Sequence, residues 1–465
     1  MNFSKKTWDL SDPNQIEGEK LLTYWLCDGL KPYETVENEQ FLKFISHLCK
    51  KFKVPSEKTI RTKLIPDLDR KVQFVIKESL KSNKNGAFAI TTDIWSSPSH
   101  DSFMSITAHW ITTDFERKLA VLRCIRYNTT HNATNISYSL KNIFKDWELN
   151  KIHAIVNDNA KNIVLAVEMA GYKGIGCLCH ILHLIVKHSI FEQSGIKMML
   201  LRLRKLVRKL QKPKAKRIFK KYQIQAGVPH NDLILDCEKH WGSTLTMIER
   251  ALEQKQGIKL AEDDPELVIT ADSKMTLNDW DLVPKAIALL VPINNASKAA
   301  ESDTSSIADV IPLTKKLKYE INEVSDAGIG TMKDALLNQI HQYLEGGDSR
   351  KHFMHIEENP ITTVATLLDP RYKTAGFQNK EMAQRAKGEV LSLMLNELTK
   401  DQFHTEGNMG ICPLQPNEEP KSSRFSSSWD IVLADSDDSE ASAGLCPNLI
   451  ESALTELNKY IKMKK

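Results

Sequence analysis

Apolar positions over the first 85 residues recur at helical spacing. Ile16, Leu21, Leu22, Trp25, Leu26 and Leu30 fall near one face of a helix over 15–30, and Phe41, Phe44, Ile45, Leu48 and Phe52 repeat the pattern over 41–52. Pro55-Ser56 opens a third helix, which Pro66 is expected to interrupt or restart, because proline brings no backbone N–H. A helical module this small buries little apolar surface, so a partner or the next domain should complete its core.

At Gly86 the period shortens to two. Residues 87–95 (AFAITTDIW), 102–111 (SFMSITAHWI) and 117–127 (RKLAVLRCIRY) read as strands, separated by turn-like SSPSHD and TTDFE. A helix over 135–149, a strand over 152–156, a helix over 159–170, a strand near 174–178 and a long helix over 180–210 follow. The order β-β-β-α-β-α-β-α predicts an α/β fold with a mixed five-stranded sheet and flanking helices, since crossover strands run parallel to their neighbours. From 229 onward the pattern is helical, over 241–253, 282–300, 312–323, 332–344 and 381–398. Residues 412–447 hold seven acidic residues, two basic ones and eight serines, which reads as a disordered acidic linker. An amphipathic helix begins at Glu451. The expected organisation is a helical module at 1–85, a sheet domain at 86–228, an all-helical region at 229–410, the linker at 411–448 and a last helical start at 449–465.

Composition narrows the class. With 41% hydrophobic and 26% charged residues and a formal charge of +4, the chain is neither wholly disordered nor a histone-like polycation. No apolar run is long enough to span a bilayer, and Met1–Leu10 has no apolar signal segment. Eight scattered cysteines do not form a disulfide framework. These features predict a soluble intracellular protein of a reducing compartment, with no membrane partner.

Three constellations could carry chemistry. Asp93 lies on the first strand and Asp158 at the end of the fourth. The fourth strand should pack beside the first, so the two carboxylates can converge at one sheet edge. Two such groups suit weak Mg²⁺ binding, the start of two-metal phosphodiester chemistry. On spacing alone the default is a strand-end aspartate that caps the following helix, and Asp158 ahead of 159–170 fits that well. Cys177, Cys179, His180 and His183, with Cys237 and His240 further on, are soft ligands, but tetrahedral zinc needs four arranged as separated pairs. A packed cysteine and a hydrogen-bonded histidine are the default, and zinc is not expected. Between Lys197 and Lys221 stand twelve Lys or Arg residues and no acid, among them Arg202, Arg204, Lys205, Arg208, Lys209, Lys212, Lys214, Lys216 and Arg217. Leu201, Leu203, Leu206, Val207 and Leu210 can face a core while the cations face out, and such a surface attracts nucleic acid. Lys212–Arg217 also reads as a nuclear-import patch. There is no P-loop, nucleophile elbow or dinucleotide glycine fingerprint, so no small-molecule substrate is indicated.

Seven segments in order resemble the hAT transposase family, most closely its domesticated zinc finger BED domain-containing members. They are Lys31-Pro32-Tyr33-Glu34-Thr35-Val36-Glu37-Asn38 with Phe41, Val54-Pro55-Ser56-Glu57-Lys58-Thr59, Thr92-Asp93-Ile94-Trp95-Ser96-Ser97, Asn157-Asp158-Asn159-Ala160 with Asn162, Cys177-Leu178-Cys179-His180-Ile181-Leu182-His183-Leu184, His240-Trp241-Gly242-Ser243-Thr244 with Met247, and Ala365-Thr366-Leu367-Leu368-Asp369-Pro370-Arg371-Tyr372-Lys373. The resemblance implies an RNase H-like core interrupted by a large helical insertion, with a DDE triad holding two Mg²⁺ ions in active members. It places the first two acids at Asp93 and Asp158, a structural pair at Cys177 and His180, and a tryptophan associated with DNA hairpins at Trp241. The N-terminal helices would serve DNA binding and homo-oligomerisation.

The third acid of that triad belongs to an S-x-E-R-x-F-S segment, and the sequence reaches Lys465 without one. A C-x-x-C and H-x-H BED finger is also not found ahead of the helical module. The expectation is a domesticated or truncated, nuclear, DNA-associated protein without catalytic activity. The alternatives are a fragment of an active DDE transposase and a scaffold whose cations bind acidic proteins.

Overall fold

The computed structural model describes residues 7–463 apart from 82, 84–85, 98, 238–239, 326, 329, 347–354 and 406–446, and for 399–405 and 447–449 the backbone alone. The chain divides into two units, Met1–Gly174 and Ile175–Lys465.

The first unit opens with α1 (Pro13–Asp28), a 3₁₀ turn (Tyr33–Glu37) and α2 (Glu39–Leu48). Asp12 caps α1 and Asn38 caps α2, each side-chain oxygen accepting a first-turn N–H. Next come α3 (Glu57–Thr59), a π turn (Ile60–Leu64) and α4 (Ile65–Lys81). Pro66 neither breaks nor ends the helical path. The widened turn just before it absorbs the missing N–H and the ring. Leu22, Leu26, Val36 and Ile60 form a small core of their own, with Phe41, Phe52 and Leu64 against it.

The sheet follows: β1 (Ala87–Ser96), β2 (Ser102–Ile111) and β3 (Arg117–Arg126) as an antiparallel meander, then α5 (Ala133–Asp146), β4 (Lys151–Asn157), α6 (Lys161–Ala170) and β5 (Gly174–Gly176). The strand order is β3-β2-β1-β4-β5, and β4 runs parallel to β1, as a helical crossover requires. One sheet face buries Ile90, Met104, Ile106, Leu122 and Ile155 together with Ile136, Leu140 and Phe144 of α5 and Ile163 and Val167 of α6. Each fully buried side chain of this kind contributes about 1.5–3 kcal/mol, so this layer is the main stabiliser of the unit.

In the second unit the helices are α7 (Leu178–His188), α8 (Ser194–Leu210), α9 (Pro213–Ala226), α10 (Trp241–Glu253), α11 (Lys255–Glu262), α12 (Leu277–Ala300), α13 (Val310–Glu323), α14 (Gly330–Ile340), α15 (Pro360–Leu368), α16 (Lys380–Thr405) and α17 (Pro447–Lys462). The single helix expected over 180–210 is two. Ser189 leaves helical geometry with its hydroxyl on the Ile185 carbonyl at 2.5 Å, and Ile190 is fully buried at the corner. Helix α12 is central and packs against α7, α8, α10 and α13. The helices over 178–226, placed with the sheet by sequence, group with this helical unit. Most of the acidic stretch expected at 411–448 lies outside the described residues. None of the described helices is long and apolar enough to cross a membrane.

Candidate carboxylate pair and nucleic-acid interface

The β1–β4 register pairs Ala89 with Ala154, Ile90 with Ile155 and Thr91 with Val156. Carried two positions further, it sets Asp93 beside Asp158. Phe88, Ile90 and Thr92 point into the core, so alternation puts Asp93 on the opposite face, where it is exposed. Asp158 is held by local bonds. Its Oδ1 accepts the Ala160 N–H at 3.0 Å, while buried Asn157 accepts the Asn159 N–H at 2.9 Å through its Oδ1. Asn159 takes a left-handed φ of 63° to make this turn, a conformation asparagine tolerates better than most residues. Asp158 is therefore not the cap of α6. Ala160 occupies that position without a side-chain bond. Among the described residues, no group of three or more His, Cys, Asp or Glu side chains is placed to hold a metal ion.

Sequence reasoning missed an aromatic feature beside Asp93. Trp95 lies two residues on, hence on the same face, and is 40% exposed. It stacks on Phe103 of β2 with ring centroids 5.8 Å apart and planes 11–21° from parallel in stacked pairs of this unit, 21° for this one. The period of two that separates Asp93 from Trp95 was the available signal.

Cys177 precedes α7 and His180 lies in its first turn. A hydrogen bond with Cys177, then burial, pushes the Cys179 thiol up, which keeps it protonated and weak as a ligand. The His180 and His183 rings stack with centroids 6.1 Å apart. Burial first, and then the positive neighbours His180, Lys187, His240 and His188, hold His183 below the ordinary histidine range. Trp241 starts α10 and is 7% exposed. As placed, its ring belongs to the core of the helical unit, and a DNA contact by it would require that core to open.

The cationic segment differs most from its sequence reading. Arg204 is not a surface cation: its guanidinium forks onto Asp236, Nε to Oδ1 at 2.9 Å and Nη2 to Oδ2 at 2.7 Å, with side-chain exposures of 13% and 1%. Thr244 donates to the same carboxylate at 2.7 Å. Burial pushes the Asp236 carboxyl up, but the bonds from Arg204 and Thr244 outweigh it and hold the carboxyl below its usual range. Arg202 pairs with buried Asp279 through two contacts of 2.9 and 3.0 Å. Lys197, Lys205, Lys214 and Lys216 pair at the surface with Glu192, Asp272, Glu266 and Asp232. Among the described residues, no carboxylate lies within ion-pair distance of Arg208, Lys209, Lys212, Arg217, Lys220 or Lys221, and all of these except Lys209 are exposed. The acid-free stretch of sequence is thus half neutralised by acids from other segments.

Family models agree with this division. The model described as the ZBED1 RNase-like domain matches residues 91–170, and that described as the ZBED1 RNase-like helical domain matches 175–288, so their junction falls at the boundary between the two units. Zinc finger BED domain-containing protein 4 of Homo sapiens is 24% identical over 418 residues, covering 86% of this chain and 34% of the relative. Zinc finger BED domain-containing protein 6 of Mus musculus is 25% identical over 78% of this chain and 38% of its own length. A putative AC transposase of Zea mays is 26% identical over 74% of the chain and 43% of the relative. These matches support a hAT-transposase-derived, BED-like chain. It spans between about a third and a little over two fifths of the length of these relatives.

Several segments that carry the hAT resemblance have visible structural work. In His240-Trp241-Gly242-Ser243-Thr244, Thr244 bonds Asp236, and the Ser243 hydroxyl accepts the Cys237 N–H at 2.8 Å. In Asp369-Pro370-Arg371-Tyr372-Lys373, Arg371 bridges Asp369 and buried Asp309, and Tyr372 donates to Asp309 at 2.5 Å.

Proposed function

We propose that this chain is a nuclear, DNA-associated protein whose sheet is an RNase H-like core, and that the unpaired cations of α8 and α9 are its main duplex contact. The carrying observation is the set Arg208, Lys209, Lys212, Arg217, Lys220 and Lys221, gathered on two consecutive helices whose apolar faces are buried. Such a surface binds phosphates without reading bases. Beside Asp93, the Trp95–Phe103 pair offers a stacking platform for an unpaired base.

Asp93 and Asp158, adjacent in register, suit one weakly held Mg²⁺ completed by water and phosphate oxygens. There the ion would supply Lewis-acid polarisation of a phosphate. Two-metal transfer needs more carboxylate than this pair provides, and the reading for these residues alone is DNA association without strand transfer. The register of Asp93 with Asp158 also favours a second reading, in which the chain is part of an active DDE transposase. The N-terminal helices, with Phe44 and Phe74 exposed, are proposed to carry homo-oligomerisation.

The test is a duplex titration of the chain and of the variant Arg208→Glu/Lys212→Glu/Arg217→Glu, which leaves every observed ion pair intact. Binding should weaken about equally across unrelated DNA sequences. Unchanged affinity removes this surface from the function.

A further inference from the structure

Two cysteines stand at the start of α7 with one residue between them. Cys177 is the N-cap, its backbone extended at φ −68° and ψ 119°, and Cys179 lies in the first turn. Both are half-buried and neither is in a disulfide. Their side chains meet, the Cys179 thiol donating a hydrogen bond to the Cys177 sulfur. That bond first, then burial and the charges of Cys177 and Glu301, hold the Cys179 proton in place. Residues two apart are separated by at most about 7 Å at Cα, and a disulfide accepts about 4.4–6.8 Å. A bond between the two sulfurs is therefore within reach of the backbone. At an N-cap, the unpaired N–H groups of the first turn and the positive end of the helix dipole favour a thiolate. The exposed cysteines have no such setting: Cys27 is in the last turn of α1, Cys124 is on β3, and Cys237 lies outside any helix.

We propose that Cys177 and Cys179 form a reversible dithiol–disulfide site, with Cys177 as nucleophile and Cys179 as resolving thiol, oxidised by a low-molecular-weight disulfide such as oxidised glutathione. The Cys177 thiolate attacks one sulfur of the oxidant, breaks its S–S bond and releases one thiolate. Cys177, now in a mixed disulfide, no longer carries the charge that held the Cys179 proton. Cys179 gives that proton to solvent, and its sulfur attacks Cys177 and releases the second thiolate. The pair loses two electrons and two protons, and the oxidant leaves as two thiols. A ring closed over one intervening residue is strained, which places the bond among the readily reduced, reversible ones. It pins the first turn of a helix that buries Ile181, Leu182, Ile185 and Val186 and packs against α10, α12 and α14.

The experiment treats the reduced full chain with oxidised glutathione near neutral pH, quenches with acid at intervals, blocks the remaining thiols and reads each cysteine by peptide mass spectrometry. The bond between Cys177 and Cys179 should form at least about ten times faster than glutathione adducts appear on Cys27, Cys124 or Cys237. An excess of reduced glutathione should reopen it. Two variants separate the roles. Cys179→Ser should accumulate a glutathione adduct on Cys177, which has lost its resolving thiol, and Cys177→Ser should leave Cys179 without one. The rate in the unaltered chain is decisive by itself, whether or not either variant folds. Adducts on Cys27, Cys124 or Cys237 as fast as the bond between Cys177 and Cys179 would overturn the proposal. So would a bond from either cysteine to Cys237, or an adduct that forms on Cys179 in preference to Cys177.

Discussion

Asp236 joins two helices that the sequence keeps apart: Arg204 from α8 forks onto it and Thr244 from α10 donates to it. With the carboxylate almost fully enclosed, removing one partner leaves a buried, unpaired charge, whereas replacing the pair by apolar groups removes the problem altogether. Arg204→Met should therefore destabilise the helical unit by about 3–5 kcal/mol, and Arg204→Met/Asp236→Leu should recover most of that loss in urea unfolding. A double variant as unstable as the single one would mean that the ion pair itself, rather than its solvation balance, holds the fold. This is also where sequence reading failed. Arg204 meets an acid 32 positions away and Arg202 one 77 positions away, and a charge count over a local window contains no information about such partners. Asp93 and Asp158 were more legible because strand order and a period of two are local rules that propagate to a register. Trp241 was legible as a residue of interest, while its burial depended on how the helices pack.

Helix α17 is held by Lys373 as well as by the Tyr460 hydroxyl, which donates to the Leu368 carbonyl at 2.6 Å. Lys373, 6% exposed and with a left-handed φ of 49°, donates its Nζ to the carbonyls of Tyr460 at 2.9 Å and Met463 at 2.6 Å, and sits 4.8 Å from the Tyr460 ring centroid. A cation there satisfies terminal carbonyls and complements the negative end of the helix dipole. Lys373→Met should speed amide exchange in the last turn of 447–462 by about ten-fold, equivalent to about 1.4 kcal/mol, with protection of β1 and β2 unchanged. Equal protection in the variant would show that Leu457 packing and the Tyr460 hydroxyl bond to Leu368 suffice. Elements of this size were mostly readable: β2 and α10 have the bounds that periodicity gives. The break between α7 and α8 was not, because Ser189-Ile190 carries no proline or glycine and the corner is made by tertiary burial of Ile190. Helices α11 and α15 escaped because eight or nine residues hold too few turns for a periodic signal.

For the whole molecule, a net charge of +4 says little about DNA, because affinity follows the cations left free to meet phosphate. Of the twelve in 197–221, Arg202 and Arg204 are committed to buried or largely buried acids. Lys197, Lys205, Lys214 and Lys216 have carboxylates beside them that cancel their field. Six remain. A duplex slope of about −0.9 per neutralised phosphate then gives this segment a contribution near −5 in log K against log salt, where all twelve would give about −11. The measurement is the salt dependence of duplex affinity for the chain and for a variant with glutamine at Arg208, Lys209, Lys212, Arg217, Lys220 and Lys221. The slope difference should be close to 5. A difference near zero would place the DNA surface elsewhere on the molecule. Glutamine at Lys205, Lys214 and Lys216 is the control, and it should change the slope by less than about 1, because each of those cations already has an anion. A control effect as large as three phosphates would mean that DNA displaces Asp272, Glu266 and Asp232 from their partners, and that the surface pairs are a reserve of binding charge.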